Sequence, residues 1–350
     1  MDNYGKKNIY INNINYDNMF FTTKKIIKKK SPTPTPIPPP PPLMPISRLT
    51  SRPMSRPTPI PIPMQTLVPF PSHTPLSKKD LEEEFKKKNE IQENNRSRYS
   101  VPYTPLKNHY SPTIPLNIYQ TWYTKDLPPN MKKNVDNLKI QNPEFTFHLY
   151  DDNECREFIR LNFADDVLHA YDTLIPGAYK ADLWRYCILY KNGGMYIDIK
   201  LSCINGFKLI ELCELEHYVL DREIPKAFNT PSPIYNALMV CKKNSPFLLM
   251  AINKVVENVK KKYYGFCALY PTGPGMLSEV ILENKQKGVT LNLNTDIYHY
   301  YDSTGLVYRE KFIMSLAYPD YRREQEELNK KINKKNYTSH WLEGNIYVKN

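Results

Sequence analysis

The chain has 350 residues, 32 prolines and a formal net charge of +12, and neither the proline nor the charge is spread evenly. Residues 1–112 hold 20 of the prolines, and 18 Lys and Arg against 8 Asp and Glu, or +10 of the total. The remaining body is nearly neutral at +2. A nucleic-acid-binding domain ordinarily carries the basic excess itself, so no nucleic-acid partner is expected. Six cysteines are scattered without a CxxC pair, which argues against a zinc site or a disulfide framework and for buried reduced thiols. No run approaches the ~18 apolar residues of a membrane span. The start, MDNYGKKNIY, lacks the apolar core of a secretory signal. The compartment stays open: with no signal peptide or membrane anchor expected, the chain reads as cytoplasmic or soluble, in a host cytoplasm or a virion if it is viral.

In chain order, residues 1–30 are polar and end in a lysine-rich run, and 31–72 carry proline at almost every second or third place. Proline fixes φ and has no amide donor, so this stretch reads as an extended polyproline II arm rather than part of a core. It is either a spacer or a ligand for an SH3- or WW-like groove lined by aromatic rings. Residues 78–95 combine helix formers with mixed charge and almost no apolar stripe, which fits a solvated helix or a disordered linker. The division is a disordered, basic, Pro-rich arm over 1–112 and a globular domain over 113–350.

The domain opens with a strand-like run at 114–122 (IPLNIYQTW). Pro128-Pro129 starts a helix over 130–141, and 145–150 (FTFHLY) is a second strand. Asp151, Asp152 and Asn153 offer caps for a helix over 154–161. Strands alternating with helices predict βαβ units and a parallel-type α/β sheet.

Residues 178–203 (AYKADLWRYCILYKNGGMYIDIKLSC) carry the chemistry. Leu183, Cys187 and Tyr190 form one helical stripe, while Asp182, Arg185 and Tyr186 at i, i+3 and i+4 share another face. Asn192-Gly193-Gly194 ends that helix. The alternation predicts a strand over 195–201 with Met195, Ile197, Ile199 and Leu201 on one side and Tyr196, Asp198 and Lys200 on the other. An acid at a strand end, opposite an acid–base pair from the preceding helix, suits a sugar or a phosphate, since ligands of open α/β sheets collect at the strands' carboxyl ends.

The pattern AxxxDxxRYxxLYxxGGxYxDxx resembles the sugar-nucleotide segment of glycosyltransferase family 32. Five further pieces are similar in order: IPLNIYQTW (114–122), NPEFTFHLYDD (142–152), IYNALMVCKKNSPF (234–247), PTGPGML (271–277) and SHWLEGNIY (339–347). The resemblance covers 113–350. It implies an α/β fold of the GT-A type, a Rossmann-like nucleotide-sugar-binding sandwich. The implied activity is a retaining hexosyltransferase, moving a hexose from a nucleoside diphosphate sugar to a carbohydrate, glycan or protein-linked glycan acceptor. By position, Asp182, Arg185 and Tyr186 would bind the donor, with Asn236, Gly273 and Trp341. Trp122 would line the nucleotide pocket. Asp198 and Lys200 would stand at the reacting centre, and Asp198 with His340 would hold Mn²⁺ or Mg²⁺. Plainer readings stand beside these: Trp122 as core, Gly273 as a turn glycine, Asn236 as a strand-edge polar group, and His340 as a packed residue near the C-terminus.

Two departures matter. The histidine of the first motif is Tyr119 here. The third position of DxD is Lys200 where the family has an acid, which weakens the metal site because a charged ammonium offers no lone pair. Lys200 then either supplies positive charge to the leaving diphosphate or closes on Asp198 and leaves the site inactive. The second case makes the domain a degenerate transferase fold, acting as a sugar-binding module or as an interaction module through its arm.

Overall fold

The computed structural model describes residue 97 and residues 99–222, 230–300 and 304–349. The proline arm at 31–72 and the charged stretch at 78–95 lie outside them. The sheet begins with β1 (Asn117–Thr121), and α1 (Pro129–Gln141) leads to β2 (Thr146–Tyr150), parallel to β1. Pro129 sits in the first turn of α1, where its missing N–H would have no helical partner. Asp151 and Glu154 form a reciprocal capping box that starts α2 (Asp152–Asn162). Next come α3 (Asp165–Thr173) and α4 (Gly177–Asn192), which deliver the chain to β3 (Gly194–Ile197), parallel to β1 on its other side.

Past β3 the parallel expectation is corrected to a mixed sheet. The chain continues through β4 (Ser202–Cys203), β5 (His217–Leu220), β6 (Ile234–Cys241), α5 (Pro246–Lys260), α6 (Pro274–Gln286), β7 (Ile297–His299), β8 (Gly305–Tyr308) and β9 (Lys311–Ser315). It closes with α7 (Tyr321–Lys331) and α8 (Tyr337–Leu342). The order is β2-β1-β3-β6-β5-β7-β8-β9-β4, with β5 and β7 parallel. The β3/β6, β5/β6, β7/β8, β8/β9 and β4/β9 pairs run antiparallel. Only Arg309 and Glu310 join β8 to β9, both at positive φ (49° and 58°). A two-residue link of that hand makes a hairpin, whereas parallel strands need a crossover of a dozen residues or more.

Strand alternation sends the two sheet faces to two cores. Met195, Ile197, Leu238 and Val240 meet Leu138 of α1 and the short 3₁₀ turn Leu209–Leu212 on one side. Tyr119, Tyr196, Met239 and Cys241 meet α4, α5 and α6 on the other. The α4 residues Leu183, Trp184, Tyr186, Cys187, Ile188 and Leu189 are all fully buried, as befits a helix packed on more than one side. Five cysteines are buried and none of the six is in a disulfide, in line with reduced thiols. Among the described residues no helix is long and apolar enough to cross a membrane.

Residues 99–112, which composition assigns to the arm, lie on this body. Tyr103 is buried against Phe207, its ring 4.8 Å from that ring and its N–H donating to Asn205 O at 2.7 Å. The Ser111 N–H reaches Glu214 Oε1 at 3.0 Å.

Candidate functional site

The site is set by how α4 hands over to β3. Gly193 caps α4 at φ +65° and Gly194 follows at φ +111°. A Cβ on Gly194 would stand 2.7 Å from Asn117 O, so only glycine lets β3 start flush against β1. From β1 the chain leaves toward β2 on one side, while β3 lies on the other, so the connections diverge at the β1 and β3 carboxyl ends. Ligands of open α/β sheets collect at such a switch point. Trp122 directly follows β1, and Asp198 directly follows β3.

From α4, Asp182 and Arg185 reach this end of the sheet. Arg185 Nη2 lies 3.1 Å from Asp182 Oδ1, and Nη1 lies 3.4 Å from Asp198 Oδ1. Nη1 also donates to Asn236 O at 2.7 Å. The guanidinium carbon stacks 4.2 Å from the centre of the Tyr196 ring, and the Tyr196 hydroxyl donates to Asp198 Oδ1 at 3.0 Å. Lys200 Nζ stands 3.5 Å from Asp198 Oδ2. Side-chain exposure grades this network from the inside out, at 6% for Arg185, 12% for Asp182, 23% for Asp198 and 28% for Lys200.

The inner acid is fully hydrogen-bonded. Thr272 Oγ1 donates to Asp182 Oδ2 at 2.7 Å, and Asn236 Nδ2 donates to Asp182 Oδ1 at 2.9 Å and to the Tyr186 hydroxyl at 2.8 Å. Tyr186 in turn donates to Thr272 O at 2.9 Å. Gly273 begins α6 so close by that a Cβ would come within 3.3 Å of Asp182 Oδ2. Burial pushes the Asp182 carboxyl pKa up, while Arg185, Thr272 and Asn236 draw it down. Burial works against the charge on Arg185, yet Tyr196, Asp182 and Asp198 hold its pKa above the usual guanidinium range. The neighbours thus offset part of the cost of burying the two groups.

Where alternation predicts a strand over 195–201, the ladder stops at Ile197 and a turn follows, closed by Leu201 N–H to Asp198 O at 2.9 Å. Asn134 of α1 holds that turn from behind, donating to Ile199 O at 2.9 Å and Leu201 O at 3.0 Å. The Tyr318 N–H donates to Lys200 O at 3.0 Å. The predicted alternation of side chains persists through the turn: Ile199 and Leu201 are buried while Asp198 and Lys200 meet at the rim. Ile199 packs with Met131, Val135 and Tyr318, and partly buried Trp122 and Tyr321 border the same cluster.

The structure therefore brings Asp182, Arg185, Tyr186, Asp198, Lys200, Asn236 and Gly273 into one connected region, with Trp122 beside the Asp198–Lys200 turn. His340 and Trp341 are engaged elsewhere: His340 Nδ1 lies 2.9 Å from Asn345 Oδ1, and Trp341 Nε1 donates to Tyr264 O at 2.8 Å. Tyr119 replaces the motif histidine as a buried ring, stacked on His148 at 5.1 Å. Thr272 and Tyr196 escape the sequence reading, although Thr272 stands in the quoted PTGPGML and Tyr196 shares the predicted face of Asp198. Asp221, just past β5, also escapes it. Burial pushes its carboxyl pKa up to about 6, against the pull of Arg222, through its N–H and its charge, and of Lys200.

A hard divalent ion such as Mg²⁺ demands near-octahedral oxygen ligation. Asp198 Oδ1 accepts from Tyr196, two cations stand 3.4 and 3.5 Å from its carboxylate, and among the described residues no three His, Cys, Asp or Glu side chains are grouped to hold a metal. Mg²⁺ is usually held by one or two carboxylates together with substrate phosphates, and Asp198, the one acid left in the motif, is flanked by two cations, so the motif offers Mn²⁺ or Mg²⁺ a poor donor set; the Asp198–His340 metal pair is not assembled.

Residues 128–214 match the family described as the glycosyltransferase sugar-binding region containing a DXD motif. Inositol phosphoceramide mannosyltransferase 3 of Schizosaccharomyces pombe is 30% identical over 174 residues, 49% of this chain and 46% of that protein. The initiation-specific α-1,6-mannosyltransferase of Candida albicans is 32% identical over 107 residues, 29% of this chain and 26% of that protein. The chain thus spans half or less of these relatives' lengths. Among solved structures, the PaToxG glycosyltransferase overlaps 59% of this chain and 80% of its own, at 18% identity and a TM-score of 0.38. The match runs from α1 through α4 and the Asp198 turn, so the segment that carries the charged network is similar to the DXD-containing, family 32-like glycosyltransferases.

Proposed function

We propose that the domain transfers a hexose from a nucleoside diphosphate sugar to a carbohydrate or glycan acceptor with retention of configuration. The observation that carries this reading is the ion-paired network Asp182–Arg185–Asp198–Lys200 at the carboxyl end of β3. Asp198 and Lys200, its more exposed members, face the donor. Arg185 and Asp182 lie behind them and fix the Asp198 carboxylate. As the glycosidic bond breaks, the diphosphate gains negative charge, and fixed cations aimed there stabilise it more than they stabilise the bound donor. Tyr196 holds Asp198 from beneath, and Trp122 offers a flat face at the adjacent strand end. The relatives are named for mannosyl transfer, so a mannose donor is the first to test.

The test is turnover of a panel of GDP-, UDP- and other nucleotide sugars by the full chain. Product anomers are then assigned by NMR. Release of nucleoside diphosphate from at least one donor, dropping about 100-fold or more in Asp198→Asn, is expected. A folded chain that neither binds nor turns over any donor would refute the reading.

One observation favours a second reading. The Asp198–Lys200 contact at 3.5 Å would also suit a degenerate site kept as a sugar-binding module. In that case Lys200→Asp gains metal-dependent turnover that the parent lacks.

A further inference from the structure

We infer that this chain grips the donor diphosphate without a divalent cation, Lys200 doing electrostatically what an ion bound to a DXD motif would do. The inference rests on the donor-site reading above. Replacing the last acid of the motif by lysine changes the formal charge there from −1 to +1. Those two units equal the charge of the divalent ion that an acid would recruit. The site thus keeps the same positive complement with an ammonium built into the chain.

Geometry supports this over a lysine that merely lies on the surface. The Lys200 main chain is clamped on both sides, by Asn134 Nδ2 to the carbonyls of Ile199 and Leu201 and by the Tyr318 N–H to its own carbonyl. The ammonium is therefore presented from a fixed turn. Its distance of 3.5 Å from Asp198 Oδ2 exceeds the 2.7–2.9 Å of a strong charge-assisted hydrogen bond, and its side chain stays 28% exposed. Among the described residues its three N–H donors remain largely free for phosphate oxygens. Arg185 Nη1 stands 3.4 Å from the other oxygen of the same carboxylate, so two cations flank Asp198. The four charges of the network sum to zero, where an acid at 200 would leave −2, so the pull on a divalent ion is lost and a cation is already in place for a diphosphate.

The test is calorimetric titration of the full chain with GDP, UDP, ADP and CDP, in EDTA and in Mn²⁺. Wild-type affinity for whichever nucleotide binds is expected to agree within about twofold between the two buffers. Lys200→Met should lose about tenfold or more in both buffers. Lys200→Asp should bind poorly in EDTA and recover with Mn²⁺. A wild-type affinity that falls tenfold or more in EDTA overturns this inference and leaves the donor-site reading standing. Unchanged binding by a folded Lys200→Met overturns it as well. No binding of any nucleotide by folded wild type in either buffer overturns both.

Discussion

Asp221 shows how a residue with no motif around it becomes a measurable feature of the fold. Burial is the largest reason its carboxyl titrates at about 6, against about 3.9 in an unfolded chain. The folded state therefore holds the proton more tightly, so the stability tied to it is complete below about pH 4 and is lost as pH rises through about 6. Asp221→Asn keeps the shape and removes the charge. Between about pH 4.5 and 7.5 its unfolding free energy, measured in urea, should gain on wild type by about 2 kcal/mol. A flat difference would mean that the carboxyl is solvated. The residues legible in the sequence were those tied by short spacing. Asp182, Arg185 and Tyr186 share a face because i, i+3 and i+4 do so on any helix. Thr272, 90 positions from Asp182, and Asn236, 54 positions away, reach it only through the tertiary fold. The resemblance of the 234–247 segment marked Asn236, and Thr272 went unmarked although its motif was noticed. Tyr196 was hidden for another reason: an aromatic on a buried strand reads as core, and here it is core and site together.

Among elements, the α4–β3 junction carries the most consequence. Its two glycines were readable as a helix stop, but the close approach to β1 that makes Gly194 irreplaceable was not. Gly194→Ala forces a Cβ to 2.7 Å from Asn117 O at φ +111°. Gly206, at φ +77° with nothing within 4 Å, is the control for backbone conformation alone. Gly206→Ala should cost about 1 kcal/mol, and Gly194→Ala about 2 kcal/mol more, by denaturant titration. Equal costs would show that the junction has room to relax. The length of β3 was overread because alternation records which way side chains face, not whether the backbone ladder continues. Past Ile197 the facing persists while the pairing gives way to the turn that presents Asp198 and Lys200. The β8–β9 hairpin was overlooked because Arg309-Glu310 lacks the Asn-Gly or Asp-Gly signal usual for such a link.

For the whole molecule, composition located a boundary that packing moves toward the N-terminus. The proline and charge counts placed 99–112 in the arm, yet three prolines in that stretch do not stop its aromatic residues from docking. Tyr99 meets Tyr300 and Phe312 edge-on at 5.7 and 5.9 Å, and Tyr103 fills a place beside Phe207. Lys107 and the Ser111 N–H both bind Glu214, and Thr113 Oγ1 donates to the Glu214 carbonyl at 2.8 Å. The exposed ion pair contributes little, so the two rings dominate. Burying Tyr103 and half-burying Tyr99 is worth about 3 kcal/mol together. A chain starting at residue 97 should therefore melt with the full chain. One starting at residue 113 should lose about 3 kcal/mol, or roughly 6–12 °C in Tm, by calorimetry. Equal melting of the two truncated chains would show that the domain needs nothing before residue 113.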